Sequence, residues 1–365
     1  MDGEHYALAG GGTGGHLFPG LAVAEALLRL DPQARITFFT TTRPLDRELL
    51  CRTACAQIEQ PVRPLTLRPW MLPRFLLAWR RSVAAARVWL KQNRPRAVLG
   101  LGGYAAGPPV VAARSLGLRT AILNPDAIPG RANRYLSRHA DLVVLQWEVS
   151  RRHFSARANC QTLGCPIRST FASAEGPAGR QHFGLDARRP VLLVTGASQG
   201  ARTVNQAVQH AWPEFWAAHR DWQLVHLTGP TDEEHTRAAY DAAGAPARVL
   251  AFTHQMHLAI AAADIVVARA GASTLAELTA LGKPAILLPY PYHRDRHQHA
   301  NAQVLVEAGA AIVIEDRKSP EANAKPLRAA LETLADKAVR GRMAAAARKL
   351  GRPSAAQDVA AWLRG

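Results

Sequence analysis

The sequence predicts an α/β protein of two Rossmann-like domains facing each other across a cleft. Three observations predict it. Short runs of β-branched and aliphatic residues alternate with longer runs of helical periodicity along nearly all of the 365 residues. That alternation is the mark of parallel strands with helices on both faces of the sheet. Several strand-like runs stop at small-residue loops that open into a helical run, at residues 10–15, 102–103, 196–200 and 269–273. Finally, the plan breaks once, around Cys165 and Pro166, and restarts at Pro190.

Taken in order, HYALAGG (residues 5–11) reads as a strand ending in glycine, and PGLAVAEALLRL (19–30) as the helix that follows. RITFFTTT (35–42) is a second strand, rich in β-branched and aromatic residues, and DRELLCRTA (46–54) a helix. RAVLGLGGYAAGPPVVAARSLG (96–117) repeats the opening design, with a strand ending at Leu101, a turn at Gly102 and Gly103, and a helix from about Pro108. RTAILNP (119–125) and ADLVVLQ (140–146) are further strands. After the break, PVLLVTGASQGARTVNQAV (190–208) is again strand, loop and helix. Strands at WQLVHLTG, ARVLAFT, ADIVVA, KPAILLPYP and AAIVIED follow, and SAAQDVAAWLRG closes the chain as an amphipathic helix. The expected organisation is a first domain over 1–163, a polar glycine- and proline-bearing linker over 164–189, a second domain over 190–350, and a closing helix over 351–365.

Composition narrows the function class. An apolar content of 48 % with 20 % charged residues describes a soluble globular chain. The sequence has no run of eighteen uncharged apolar residues and opens on MDGEHYALAGGG, so neither a membrane span nor a signal peptide is expected, and the cytoplasm is the expected compartment. Cys51, Cys55, Cys160 and Cys165 fit neither a disulfide framework nor a metal-ligand spacing, so no metal is expected. The formal charge of +17 favours polyanionic or phosphorylated partners. No nucleic-acid-binding motif accompanies it, and nucleic acid is not expected as a partner.

The loop GGGTGGH (10–16) matches the spacing of a dinucleotide fingerprint between a strand and a helix, and amides at a helix N-terminus favour an oxyanion. An NAD site also needs an acid at the end of the second strand. Here that strand ends in Thr40, Thr41, Thr42 and Arg43, which weakens NAD and leaves NADP open. His16 ends the loop, as either a proton acceptor or a helix-capping side chain. In the second half, residues 196–200 and 269–277 present amides and hydroxyls at helix starts, and Glu277 is placed either to accept two hydrogen bonds from a ribose diol or to complement a helix dipole.

The segments GGGTGGHLFPGLAVAEAL, GGYAAGP, GASQGARTVNQAV, ARAGASTLAELTALGKPAILLPYP and DRHQHANAQVLVEAGAA, in this order, resemble the MurG family, the glycosyltransferases of family 28. The resemblance runs through both domains. It implies a GT-B fold and an inverting transfer of N-acetylglucosamine from UDP-N-acetylglucosamine to lipid I, the undecaprenyl-linked muramyl-pentapeptide, giving lipid II. It implies no cofactor and no metal. On the donor it places Thr13, Gly14, Gly15, Asp126, Arg168, Ser198, Thr253, Gly271, Ala272, Ser273, Thr274, Leu275, Glu277 and Gln298. For the acceptor pyrophosphate it suggests Gly11, Gly12, Gly102, Gly103 and Tyr104. The chain departs from the family pattern at Leu123, Asn124, Pro125 and Asp126, where HEQN is usual, at His297 in place of a glutamine, and at Cys165 in place of an asparagine.

For the reaction, His16 is the first candidate base and Asp126 the second, with Arg168 as a cation for the departing diphosphate. A lipid-linked acceptor requires contact with the bilayer. Residues 67–91 mix Trp70, Leu72, Phe75, Leu76 and Trp79 with Arg80 and Arg81, a composition suited either to an anionic membrane surface or to a packed amphipathic helix. The expected place is therefore the cytoplasmic face of the membrane, peripherally bound, with other cell-wall synthesis proteins as further partners. Competing readings are a UDP-N-acetylglucosamine 2-epimerase or another lipid glycosyltransferase, an NADP-dependent oxidoreductase, and a basic nucleic-acid binder.

Overall fold

The computed structural model describes residues 3–64, 69–196, 200–292 and 295–365. It has two compact units, Met1–Ser169 with Arg352–Gly365, and Thr170–Gly351.

In chain order the first unit contains β1 (His5–Ala9), α1 (Gly14–Leu30), β2 (Arg35–Thr40), α2 (Pro44–Leu50), β3 (Ala56–Glu59), α3 (Leu72–Asn93), β4 (Ala97–Gly100), α4 (Gly107–Ser115), β5 (Arg119–Asn124), α5 (Arg131–Leu136), β6 (Leu142–Leu145) and β7 (Cys160–Gln161). Its strands form one parallel sheet in the order β3-β2-β1-β4-β5-β6-β7. The order therefore reverses between β1 and β4, and such a reversal opens a crevice at the carboxyl ends of the strands. Ala9 is level with Phe39 on β2 and with Gly100 on β4, so the loops after these three strands emerge side by side. Ala7, Ala9, Phe39, Val98, Ile122 and Val143 pack with Ala86 and Leu90 of α3 and Val110 and Ala113 of α4. Burial on both faces explains why β6 reads LVVL without polar alternation.

Helix α3, which covers residues 72–91 of the stretch 67–91, has a packed side and an exposed side. Ala78, Ser82, Ala86 and Leu90 are buried at helical spacing. Trp79 is on the same side: a side chain at Gly107 would meet its ring at 2.4 Å, and its ring stands 6.4 Å from that of Tyr135. Phe75 is half-buried beside Trp79, at 6.1 Å. Phe75 and Trp79, expected at the membrane, thus lie on or beside the packed side, because Trp79 precedes Ser82 by about one turn and Phe75 precedes it by about two. Trp70, Leu72, Leu76, Leu77, Arg80 and Arg81 stay exposed.

The chain continues with α6 (Ser169–Ala172), α7 (Gly176–His182), β8 (Val191–Thr195), α8 (Arg202–Ala218), β9 (Gln223–Leu227), α9 (Glu233–Ala242), β10 (Arg248–Leu250), α10 (Met256–Ala262), β11 (Ile265–Ala268), α11 (Ala272–Ala280), β12 (Ala285–Leu287), α12 (His297–Glu307), β13 (Ala311–Val313), α13 (Pro320–Ala335) and α14 (Lys337–Leu350). The sheet is parallel with the order β10-β9-β8-β11-β12-β13, the same layout as in the first unit, reversing between β8 and β11. Its core joins Leu192, Val194, Ile265, Val267 and Ile286 to Val204, Val208, Trp212 and Phe215 of α8 and to Leu327 and Leu331 of α13.

Two expected boundaries move. The stretch 164–189 is not a free linker: α7 packs so closely on α10 that a side chain at Gly179 would stand 2.2 Å from the Leu258 carbonyl oxygen. The closing helix, α15 (Ala355–Arg364), belongs to the first unit. It packs on α1 with Ala355, Ala356, Val359, Ala360 and Leu363 buried, and Trp362 lies 4.0 Å from the Arg119 guanidinium.

Candidate functional site

In the first unit the site grows from the reversal between β1 and β4. Gly11 and Gly12, at φ 158° and 83°, carry the chain off β1 to Thr13, the extended residue before α1. His16, one turn into α1, is half-buried. Its Nδ1 lies 3.1 Å from the Thr13 hydroxyl and 3.3 Å from the Gly11 carbonyl oxygen. The ring lies against the turn after β4: side chains at Gly102 and Gly103 would meet it at 3.2 and 3.0 Å. Gly103, at φ 70° and ψ −180°, sits where a side chain is hardly tolerated. Burial lowers the His16 pKa, while the Gly11 bond and the charges of Asp126 and Asp46 oppose the shift without cancelling it.

Asp46 on α2 anchors this loop. Its fully buried carboxylate accepts from the Gly12 amide at 2.8 and 2.9 Å, from the Thr41 amide at 3.0 Å and from the Thr41 hydroxyl at 2.6 Å. The expectation that Gly12 offers its amide to a pyrophosphate is thereby corrected, since a carboxylate already holds that N–H. Arg43 supplies cationic character instead, its Nη1 donating to the Gly12 carbonyl at 2.8 Å. The Tyr104 hydroxyl stands 3.7 Å from where a Gly12 side chain would begin.

Asp126, half-buried after β5, is within electrostatic reach of His16. Its carbonyl accepts from the side chains of Asn124 at 2.8 Å and Ser150 at 3.0 Å, which fixes the loop. Asn133 on α5 donates to the Leu123 carbonyl at 2.9 Å, and its buried Oδ1, near Gly102, has no hydrogen-bond partner among the described residues. The Arg168 guanidinium lies 5.6 Å from the ring of Phe18 on α1.

In the second unit Thr253, residues 271–275 and Glu277 all follow the carboxyl ends of strands. The Thr253 hydroxyl accepts from the Gln255 amide at 3.0 Å, beside the exposed ring of Phe252. Helix α11 starts at Ala272, with Gly271 before it, so Glu277 stands in the second turn. Gln298, on α12, accepts from the Tyr290 amide at 2.9 Å through Oε1, so the NH₂ is its donor group. Ser198 lies outside the described residues. Gly200, at φ 73°, closes the loop after β8 so tightly that a side chain would meet the Thr228 carbonyl oxygen at 1.9 Å.

A buried pair, invisible in the sequence, braces this end. Arg269 donates to Asp316 at 2.7 Å, to the Leu288 carbonyl at 2.8 Å and to the Thr203 hydroxyl at 2.7 Å. Burial pushes the Asp316 carboxyl up, but bonds from Thr203, Arg269, the Lys318 amide and Asn323 outweigh it and hold the group below its ordinary value.

Comparison with known proteins meets this geometry on both sheets. The model of the glycosyltransferase family 28 N-terminal domain matches residues 6–145, and that of the family 28 C-terminal domain matches residues 191–359. The chain belongs to glycosyltransferase family 28. Among family 28 relatives, the UDP-N-acetylglucosamine–N-acetylmuramyl-(pentapeptide) pyrophosphoryl-undecaprenol N-acetylglucosamine transferase of Anaeromyxobacter sp. (strain Fw109-5) is 40 % identical over 363 residues, 97 % of this chain and 91 % of its own length. The protein of the same name from Syntrophus aciditrophicus (strain SB) is 40 % identical over 314 residues, 85 % of this chain and 84 % of its own. The crystal structure of MurG from Acinetobacter baumannii, a GT-B protein, matches with a TM-score of 0.76 and 28 % identity over 99 % of both chains. Two parallel α/β units of the GT-B class, as expected, are therefore the fold of this family 28 member.

Proposed function

We propose that this enzyme transfers N-acetylglucosamine from UDP-N-acetylglucosamine to lipid I, yielding lipid II. The end-to-end similarity to relatives bearing that name carries the reading. The geometry supports it through a half-buried imidazole at the switch point of the first sheet, which burial keeps neutral near pH 7 and so able to take a proton.

In the reaction, the acceptor hydroxyl oxygen bonds to the anomeric carbon as its proton passes to His16. The bond from that carbon to the β-phosphate oxygen breaks, and its electron pair leaves with UDP. Asp126 adds negative charge that stabilises the resulting imidazolium. On the donor, Glu277 accepts from the ribose hydroxyls, the Gln298 NH₂ donates to the sugar, the backbone at Thr253 faces the uracil, and residues 271–275 with Ser198 and Arg168 receive the diphosphate. Thr13, Gly14 and Gly15 at the start of α1 reach the donor sugar and the acceptor's reacting end, and the Gly102 to Tyr104 turn meets the acceptor pyrophosphate. This charge management uses no metal ion.

Membrane attachment is peripheral, at the cytoplasmic face. No described helix is long and apolar enough to cross a bilayer. Trp70 is 71 %, Leu76 46 % and Leu77 51 % exposed, with Arg74, Arg80 and Arg81 beside them, so apolar insertion and attraction to anionic lipid act from one surface.

The test is transfer of labelled N-acetylglucosamine from its UDP donor to a lipid I analogue, with and without EDTA. Transfer survives EDTA, falls on the order of 100-fold or more in His16→Ala with little change in KM for the donor, and shows a raised donor KM in Glu277→Ala. A folded wild-type protein that transfers nothing, with or without added divalent metal, refutes the reading and brings the sugar-nucleotide epimerases forward.

A further inference from the structure

The peptide joining Gly11 and Gly12 is held at both ends. Its N–H donates to the buried Asp46 carboxylate, and its carbonyl oxygen faces His16 Nδ1 at 3.3 Å. A carbonyl oxygen can only accept, so a bare Nδ1 at that distance would set two lone pairs against each other. A proton on Nδ1 turns that contact into a hydrogen bond to Gly11, and the Thr13 hydroxyl, at 3.1 Å, can accept from the same N–H. A carboxylate bonded to the amide end of a peptide polarises that peptide and makes its carbonyl a better acceptor. The other Asp46 bonds among the described residues come from the Thr41 amide and hydroxyl, both donors.

We propose that Asp46 is a positioning residue for His16: through the peptide of Gly11 and Gly12 it holds the imidazole with its proton on Nδ1 and keeps Nε2 bare for the acceptor hydroxyl. The proposal rests on the reading of His16 as the base. It assigns to an aspartate on α2 the task that a directly bonded carboxylate performs in a serine-hydrolase triad, with a peptide unit interposed. Close packing explains why the device needs its glycines. A side chain at Gly11 would fall 2.3 Å from Asp46 Oδ2, and one at Gly103 would fall 3.0 Å from the imidazole.

Among the described residues, Asp126, Asp46, Arg43, Tyr104 and, beyond Phe18, Arg168 are charged or titratable groups near this imidazole. Of these, Asp126 and Asp46 act to raise its pKa. Losing the Asp46 charge therefore shifts the acid limb of kcat/KM to lower pH, because the base stays unprotonated further down.

The test uses the full-length protein labelled with ¹⁵N-histidine, the His16 signals being those absent from His16→Gln. Wild type is expected to show a neutral His16 protonated at Nδ1. Asp46→Asn, which turns an acceptor into a donor facing the amides of Gly12 or Thr41, is expected to gain the Nε2–H tautomer and move the acid limb downward. It should also lose roughly 10-fold or more in kcat, with an unchanged donor KM. A loop staple alone would move neither tautomer nor pH profile. The inference is overturned by a wild-type His16 protonated at Nε2, or by a folded Asp46→Asn protein with the wild-type tautomer and acid limb. Should that variant fail to fold, the wild-type tautomer still decides. Should wild type transfer no sugar, the functional reading fails separately, and the tautomer still tests the relay.

Discussion

Replacing Gly103 by alanine tests whether the placement of His16 matters to the chemistry. At φ 70° and ψ −180° an alanine costs about 1–3 kcal/mol of backbone strain. For a unit of this size that lowers its melting temperature by about 2–12 °C. The added methyl would stand 3.0 Å from the His16 Cε1 and 3.2 Å from Nδ1, where carbon atoms prefer about 3.5–4.0 Å. The imidazole must therefore retreat from Gly103 by several tenths of an ångström, which disturbs its contacts with Thr13 and Gly11. A misplacement approaching 1 Å costs on the order of 100-fold in rate, so the smaller retreat predicts a loss of roughly 10-fold. The assay is steady-state transfer at 25 °C on protein whose thermal transition shows it folded. Since Gly103 is remote in sequence from the donor-side residues, kcat should carry the loss and donor KM should not. Wild-type kcat in a folded Gly103→Ala protein would refute the idea that the turn sets the imidazole.

Two further outcomes follow from other parts of the molecule. His226, fully buried, bonds to Tyr240 at 2.8 Å and Asn205 at 3.1 Å, and burial pushes its pKa down to about 3. Below pH 6.5 the unfolded chain takes up a proton that the native state refuses, so stability falls by about 1.4 kcal/mol per pH unit toward pH 3. Between pH 7 and pH 5 the second unit's urea transition should lose about 2 kcal/mol more in wild type than in His226→Leu, and equal losses would contradict this. On α3, the pair Leu76→Glu and Leu77→Glu should reduce sedimentation with anionic vesicles at least several-fold while leaving transfer to a soluble acceptor analogue intact. Undiminished vesicle binding would remove that face from the membrane reading.

The sequence made the strand runs and their glycine loops readable because a sheet buried on both faces demands apolar strands, and because chain reversals at positive φ demand glycine. The strand order reverses at β1/β4 and at β8/β11, a long-range pairing that no local run spells out. Strand β3 escaped notice: AQIE is short and polar, and lies at the edge of the sheet. Asp46 looked like an ordinary helix charge in RPLDREL, and only the side-by-side placement of β1 and β2 reveals that it is buried under Gly12. Arg269 and Asp316 are 47 positions apart and left no local signal. Trp79 was legible in principle, since Phe75, Trp79, Ser82 and Ala86 keep helical spacing. Arg74, Arg80, Arg81 and Arg87 interleave with those positions and give the same stretch a membrane-surface composition.

The return of α15 to the first unit bears on how the chain comes into being. The second unit is one uninterrupted stretch, Thr170–Gly351, whereas the first is finished only by Arg352–Gly365. A ribosome therefore releases Thr170–Gly351 whole while the unit bearing His16 still lacks the helix that packs on α1. During that interval the side of α1 that packs on α15 lacks that cover.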